Sequence, residues 1–474
     1  MKKNTAALTL ALLLALTGVG CGNECVSEDA ALTSDNATSG SDEKTIYDEL
    51  PTGDYGGAEF NILNHSYTYA EYRLDAESQT GETFNDTVYD RTRKVEELLK
   101  VKIKVRDMDY WSEDAQSEIM NLVMAGDDVY DCCFLGAAGN MSAISGGIYL
   151  DLNSVEEFDF TKPWWDKKSV SYYEMNGKVY TALNEATMNI HDQMWATFFN
   201  KKIADELKLD NIYDLVKDGK WTLDKMAELI ETAANDLDGD GELGENDRWG
   251  LMTNSKSSFG LLHGANARVI DKKNGVPTFM ELDDHLLGAL EKVKNIFSLE
   301  GTMNQMTNGM DCNKGFSDGK SLFLVEVIGN AAKLRSMDID FGIIPHPKYD
   351  EAQDSYVAYH SPAANGVCIP KTCGDVSRAG TVIELMSALG YEYVRPAYYD
   401  VVLNGKTVRD EESREMLDII FDNVETDYAQ MYKWAGFDST LISVMTTSVD
   451  ISSTFDSNRK AVEAAISEFL ENIK

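Results

Sequence analysis

The densest run of chemistry-bearing residues is Asp236 to Leu251, DLDGDGELGENDRWGL. Counting Asp236 as the first position, carboxylates stand at the first, third and fifth places (Asp236, Asp238, Asp240), Gly241 at the sixth, Glu242 at the seventh and Asp247 at the twelfth. This is the spacing of an EF-hand calcium loop. A hard cation takes about six to eight oxygens, so alternate side chains converge on it, a glycine permits the sharp turn, and a late carboxylate closes the shell. Asp247 stands where such loops usually carry a bidentate Glu, which weakens the grip. There is no second copy of the loop, and Trp249 to Thr253 reads as a strand rather than an exiting helix. The expected cation is therefore a structural calcium that braces its domain, set against a plain solvated acidic turn.

Other groupings carry less. Gly315 to Ser321, GFSDGKS, is one residue short of the GxxxxGK[ST] phosphate loop, which argues against nucleotide binding. The six histidines are scattered outside any zinc spacing, and no CxxC or Cys/His cluster occurs. Glu185, His191 and Asp192 could be drawn as an acid/base set, yet no GxSxG elbow or other nucleophile motif accompanies them. With 80 acids in the chain, nothing singles out a carboxylate pair for glycoside hydrolysis. Aromatic residues beside polar ones are more telling. A sugar ring offers an apolar C–H face and a fringe of hydroxyls, so its site needs ring platforms with Asp, Glu, Asn or Arg at the rim. Tyr67, Trp164, Trp165, Trp195, Phe259 and Trp434 have such neighbours, with core packing as the competing role of each.

The elements that must position these residues follow from periodicity. Phe60 to Leu63 reads as an apolar strand, followed by a polar, aromatic loop from Asn64 to Tyr69. Val88, Thr92, Val95 and Leu99 mark one face of a helix, which leads into the strand Val101 to Val105. A helix near Asp114 to Ala125 then leads to the strand Val129 to Leu135. Alternating strands and helices signal parallel α/β construction, in which ligands sit at the carboxyl ends of strands. The loops after Leu63 and Leu135 should then border a site. Met194 to Phe199 is a further strand, Thr222 caps a helix running into the acidic loop, and Asn254 to Asn266, rich in Gly, Ser and Asn, reads as a binding loop.

At 474 residues the chain exceeds one ordinary core, so two domains are expected. A net charge of -37 repels nucleic acid and anionic membrane and suits a solute without large negative charge. Lys2 and Lys3 precede the apolar run Ala6 to Leu16, which reads as a secretion signal over residues 1–20. Gly18-Val19-Gly20-Cys21 resembles a bacterial lipobox, in which Cys21 is lipidated, with plain cleavage as the alternative. Residues 21–57 are rich in Ser, Thr, Asp, Glu and Gly and read as a disordered tether. The expected location is extracytoplasmic, with lipid as the sole membrane attachment. Cysteines in such a compartment invite a disulfide reading: Cys368 and Cys373 could pair across a turn, while adjacent Cys132 and Cys133 face opposite sides of a buried strand as packed thiols.

Several stretches in order resemble the extracellular solute-binding proteins of family 1, the lipoprotein receptors of ABC importers, many of them for sugars. They are Asp86 to Val105 (DTVYDRTRKVEELLKVKIKV), Tyr149-Leu150-Asp151-Leu152, Lys162-Pro163-Trp164-Trp165, Phe198-Phe199-Asn200-Lys201 and Asp218 to Leu223. The acidic loop running into Trp249-Gly250-Leu251, Phe316 to Phe323, and Asp340 to Tyr356 complete the set. The resemblance implies a type II periplasmic-binding-protein-like fold, with two α/β lobes joined by hinge crossovers. Lobe I would take residues 58–184 and 345–395, and lobe II residues 185–344 and 396–474 with the calcium-like loop 236–247. Similarity to maltodextrin-binding receptors places ligand contacts at His65 and Tyr67, at Gly136 to Asn140, at Glu185, at Ser258 and Phe259, at Glu326, and at Trp434; Trp195 joins them from the aromatic reading. The implied function is non-catalytic: capture of a carbohydrate, with an oligosaccharide expected, and its delivery to permease subunits. A secreted carbohydrate-active enzyme is the alternative, and a calcium-stiffened surface adhesin a third.

Overall fold

In the computed structural model of the chain, residues 50, 52–67, 74–110, 114–334, 340–400 and 411–473 are described. The expected leader, Cys21 and most of the expected tether lie outside them. The last tether residues are not free chain. The N–H groups of Tyr55 and Gly57 donate to the carbonyls of Leu99 and Lys100 at 3.0 and 2.6 Å, and Tyr55 OH donates to Thr381 Oγ1 at 3.1 Å. An aromatic side chain with something to pack against starts the ordered body before residue 58.

The strands, in chain order, are β1 (Ala58–Ser66), β2 (Val101–Asp109), β3 (Cys132–Gly136), β4 (Met194–Asn200), β5 (Trp249–Thr253), β6 (Ile270–Lys273), β7 (Val276–Phe279), β8 (Thr302–Asn304), β9 (Ser321–Val327), β10 (Phe341–Ile344), β11 (Ala358–His360), β12 (Asn365–Cys368) and β13 (Val424–Glu425). The first sheet has the order β12-β3-β1-β2. In it β1 runs parallel to both β2 and β3, and β12 closes one edge antiparallel to β3. The helix Thr83–Leu99, N-capped by Glu82, buries Phe84, Val88, Thr92, Val95 and Leu99 and stops at Lys100, whose φ is 53°. Asp114 caps the next helix, Ala115–Ala125, and Gly126 ends it at φ 80°. β1 continues to Ser66, where a loop was expected, because β2 pairs with it throughout and Asn64 Nδ2 donates to Asp107 Oδ1 at 2.7 Å.

The second sheet has the order β13-β11-β4-β9-β5-β8, with β10 also on β4. β9 pairs with one edge of β4, and β10 and β11 pair with its two ends in turn: β10 from Thr197 to Asn200, β11 at Met194 and Trp195. This corrects the lobe boundary read at residue 345. Pro345 and His346 stay with the second sheet, through Trp221 Nε1 donating to Pro345 O at 2.9 Å and the Thr197 hydroxyl 3.3 Å from His346 Nδ1. The chain rejoins the first sheet only after His360, since β11 satisfies the edge of β4 that β10 leaves open.

One further expectation is overturned, and one pairing left open is answered. Asn254 to Asn266 contains a helix, Ser257–Gly264, whose eight residues are all buried. Its glycines serve close packing rather than a loop: a Cβ on Gly260 would lie 2.6 Å from His346 Nε2, and one on Gly264 2.6 Å from His346 Cβ. The five described cysteines are free and buried. Cys368 and Cys373 do not pair across their turn; they belong to separate core clusters.

Candidate functional site

On the first sheet, the end of β1 presents His65 and the chain just beyond it Tyr67. His65 Nδ1 accepts from the Gly136 N–H at 3.0 Å, and burial brings its imidazole down to about 4, so the ring is neutral near pH 7. Its Nε2 has no partner among the described residues. Tyr110, which the sequence reading missed, meets both rings, with centroids 5.1 Å from His65 and 4.9 Å from Tyr67. Tyr67 OH donates to Ala363 O, and Asn365 Nδ2 donates to His65 O at 2.8 Å, so this corner rests on the chain returning from the second sheet. Asn140 faces inward: its Oδ1 accepts from Tyr149 OH at 2.7 Å and its Nδ2 donates to Cys368 Sγ at 2.9 Å.

On the second sheet, Glu326 near the end of β9 accepts from the Val327 N–H at 2.9 Å and from Asn254 Nδ2 at 3.2 Å, and burial raises its carboxyl above the usual range. Ser258 Oγ donates to Ser255 O at 2.7 Å. Phe259 is 0% exposed inside the main core, a position that packs the lobe and offers no open face. Lys256 was not anticipated. Burial holds its ammonium below the usual range, helped by the charge of Lys433 and opposed by those of Glu326 and Asp438.

Trp195 on β4 sits between Val327 and Tyr359 in register and is buried, with an indole N–H lacking a partner among the described residues. Trp434 is also buried, and its N–H has no partner among the described residues. It stacks on Tyr432 with centroids 4.5 Å apart and planes at 13°, and Tyr428 stacks on Tyr172 at 4.6 Å and 19°. Tyr428 also stacks on Trp434 at 6.5 Å, so rings run from the helix Lys167–Tyr173 on the first-sheet side to Trp434. The spacing of Tyr428, Tyr432 and Trp434 was the signal available for this run; Tyr172 lies too far away in sequence to be joined to it.

The crossovers are bonded to one another and to the chain around them. Glu185 accepts from His191 Nε2 at 3.0 Å and from Arg395 at 3.4 Å. Asn365 N donates to Asn189 Oδ1 at 2.6 Å, Ser361 N to Gln193 O at 2.7 Å, and Tyr398 OH to Asp192 Oδ1 at 2.7 Å, which ties all three chain passages together. Beside them is a cavity of about 290 Å3, lined in part by Trp165, Asp166, Glu185, His191, His360 and Arg395. Glu185 thus lies at the hinge, in contact with His191 and Arg395. Trp164 and Trp165 are not platforms: both indole N–H groups donate to Glu384, at 2.8 and 2.9 Å, inside the first core.

In the acidic loop, side-chain oxygens of Asp236, Asp238 and Asp240 lie within 4.8 Å of one another, a donor set that fits calcium. Gly239 and Gly241 take φ 76° and 93°, and their N–H groups donate to Asp236 at 2.6 and 2.9 Å. The Glu242 N–H donates to Asp240 Oδ1 at 3.0 Å. Asp247 braces the loop ends, accepting from the N–H groups of Leu237 and Gly244 at 2.7 and 2.6 Å, bonds that hold its carboxyl below the usual range.

No protein-family model and no curated protein matches the chain. Solved structures do. The chain is similar to an ABC substrate-binding protein from Listeria monocytogenes in complex with cycloalternan, with TM-score 0.58 and 12% identity, covering 88% of this chain and 99% of that one. It is also similar to a maltose/maltodextrin-binding domain from Bdellovibrio bacteriovorus bound to maltotriose, with TM-score 0.56, 14% identity, and coverage of 86% and 100%. A family 1 extracellular solute-binding protein from Bifidobacterium longum subsp. infantis gives TM-score 0.54, 14% identity, and coverage of 88% and 100%. The fold is the type II periplasmic-binding fold, two α/β lobes joined by crossovers, as the sequence resemblance implied.

Proposed function

We propose that the protein is the extracytoplasmic solute-binding component of an ABC importer, capturing a carbohydrate between its lobes and passing it unaltered to membrane permease subunits. The observation that carries this reading is the two-lobed fold, with aromatic residues of both lobes meeting at their boundary, Tyr172 on Tyr428 and Tyr432 on Trp434, and with indole N–H groups on Trp195 and Trp434 that have no partner among the described residues. Tyr428 is fully buried and its OH donates to Tyr172 O at 2.7 Å, so the two indoles are the members of this group whose polar edges are left to a ligand that is apolar on its faces and hydroxylated at its rim. Contacts drawn from both lobes can form together only when the lobes close, so ligand favours the closed form. The sugars named for the Listeria and Bdellovibrio proteins support a carbohydrate as the solute.

Cys21 after the leader supports attachment by lipid, and the Asp236, Asp238, Asp240 cluster supports a calcium that stiffens one lobe without taking part in chemistry. Small-angle scattering with and without a sugar panel tests the capture reading. Compaction by one member supports it, and an unchanged profile across a panel of hexoses, maltodextrins, cyclodextrins and galactosides overturns it. Incubation with labelled oligosaccharides separates receptor from enzyme, since a receptor returns the label intact.

A further inference from the structure

We propose that Cys133 and Cys368 are a dithiol/disulfide pair that staples β12 to β3. Pairing of the antiparallel strands sets Cys368 directly opposite Cys133. Residues opposed in this way point to the same face with Cβ atoms about 4.5–5.5 Å apart, so closing the bond draws the two strands together by about 1 Å to the roughly 3.8 Å of a disulfide. Their Cα separation of about 4.5–5.5 Å lies within the roughly 4.4–6.8 Å that a disulfide spans. Core packing agrees with the register: Cys133 and Cys368 share one cluster, and Cys132 and Cys373 share another. Adjacent Cys132 points to the opposite face from Cys133, so it cannot compete for Cys368 without turning the strand over.

With the thiols unbonded, Asn140 Nδ2 donates to Cys368 Sγ at 2.9 Å. Both thiols are fully buried, and burial pushes Cys368 up to about 12 and Cys133 well above its usual range, so the folded thiols are poor nucleophiles. β12 is the edge strand of its sheet and only four residues long. Local opening of that edge, or the folding of the chain itself, brings Cys368 within reach of an oxidant. Exchange with a small-molecule disulfide breaks its S–S bond and forms the protein's. The two thiols give up two electrons and two protons, and the oxidant leaves as two thiols. β12 begins at Asn365, where the crossover from β11 arrives and where Asn189 and His65 are held, so the staple fixes that end of the hinge to the first sheet. The inference rests on strand register and is independent of which solute is bound.

Full-length protein equilibrated in graded ratios of reduced to oxidised glutathione, quenched in acid, alkylated under denaturing conditions and digested, reads the pair directly. The expected result is a Cys133–Cys368 linked peptide that grows with the oxidised fraction while Cys312 remains alkylated. Cys132→Ser should retain the link and Cys133→Ser abolish it, with Cys368→Ala as the second variant should Cys133→Ser fail to fold. The thermal midpoint should rise on oxidation of the wild type and stay unchanged in the variant lacking the pair. Full alkylation of Cys133 and Cys368 in the most oxidising buffer, or a link from either to a different cysteine, overturns the proposal.

Discussion

Asp166 and His360 join the two lobes beside the hinge, with the imidazole Nε2 3.3 Å from the carboxylate. Asp166 caps the helix Lys167–Tyr173 through the Ser169 N–H, and His360 ends β11, so the contact couples a helix start in one lobe to a strand edge in the other. Burial pushes the Asp166 carboxyl up, but the hydrogen bond and charge of His360 outweigh it and leave the group below its usual range. A depressed carboxyl gives stability that is complete above the unfolded-state value near 3.9 and is lost as pH falls through the folded value. His360→Gln should lower stability at pH 7 by about 1–3 kcal/mol, with a smaller loss on acidification than the wild type shows, as read by urea unfolding across pH.

Glu384 works in the opposite direction. Burial raises its carboxyl to about 7, partly offset by the indole N–H groups of Trp164 and Trp165. A folded value above the unfolded one favours the protonated form, so the contribution is complete below about 4.5 and is lost as pH rises through about 7. Glu384→Gln should flatten the stability profile between those two pH values, with tryptophan fluorescence as a reporter of the local packing.

Calcium should raise the thermal midpoint of chelator-stripped protein. Binding to the folded state alone stabilises by about 2.7 kcal/mol at roughly a hundredfold excess over Kd. Asp238→Asn with Asp240→Asn should abolish the rise, whereas Glu242→Ala should change it little, because the seventh position of such a loop contributes its backbone carbonyl. No rise in the stripped wild type removes the metal.

Phe259 and Trp434, both placed at the ligand by resemblance, should separate. Phe259→Ala should cost about 3–5 kcal/mol of stability, as expected for a ring removed from a closed core. Trp434→Ala should raise Kd for the solute found in the sugar panel about tenfold, or about 1.4 kcal/mol, measured by calorimetry on protein whose circular dichroism is unchanged. Equal affinity in Trp434→Ala would remove the stacking run from the site.

What the sequence determined by itself is local: β4 and β5, the helix near Asp114 to Ala125, the cap at Thr222, the acidic loop, and the ordered short motifs that carried the resemblance. These depend on neighbours within a few residues, through period, capping and loop spacing. Tertiary structure decided the rest. Gly260 and Gly264 looked like loop residues because His346, the side chain that needs their space, lies far along the chain. Trp164 and Trp165 looked like platforms because Glu384, which takes both indole N–H groups, is more than two hundred residues away. Cys368 faces Cys133 rather than Cys373, and the hinge return falls after His360 rather than at Pro345, because strand pairing joins segments with no sequence proximity. Composition names the groups a fold can use, but which donor meets which acceptor is set when distant strands come into register.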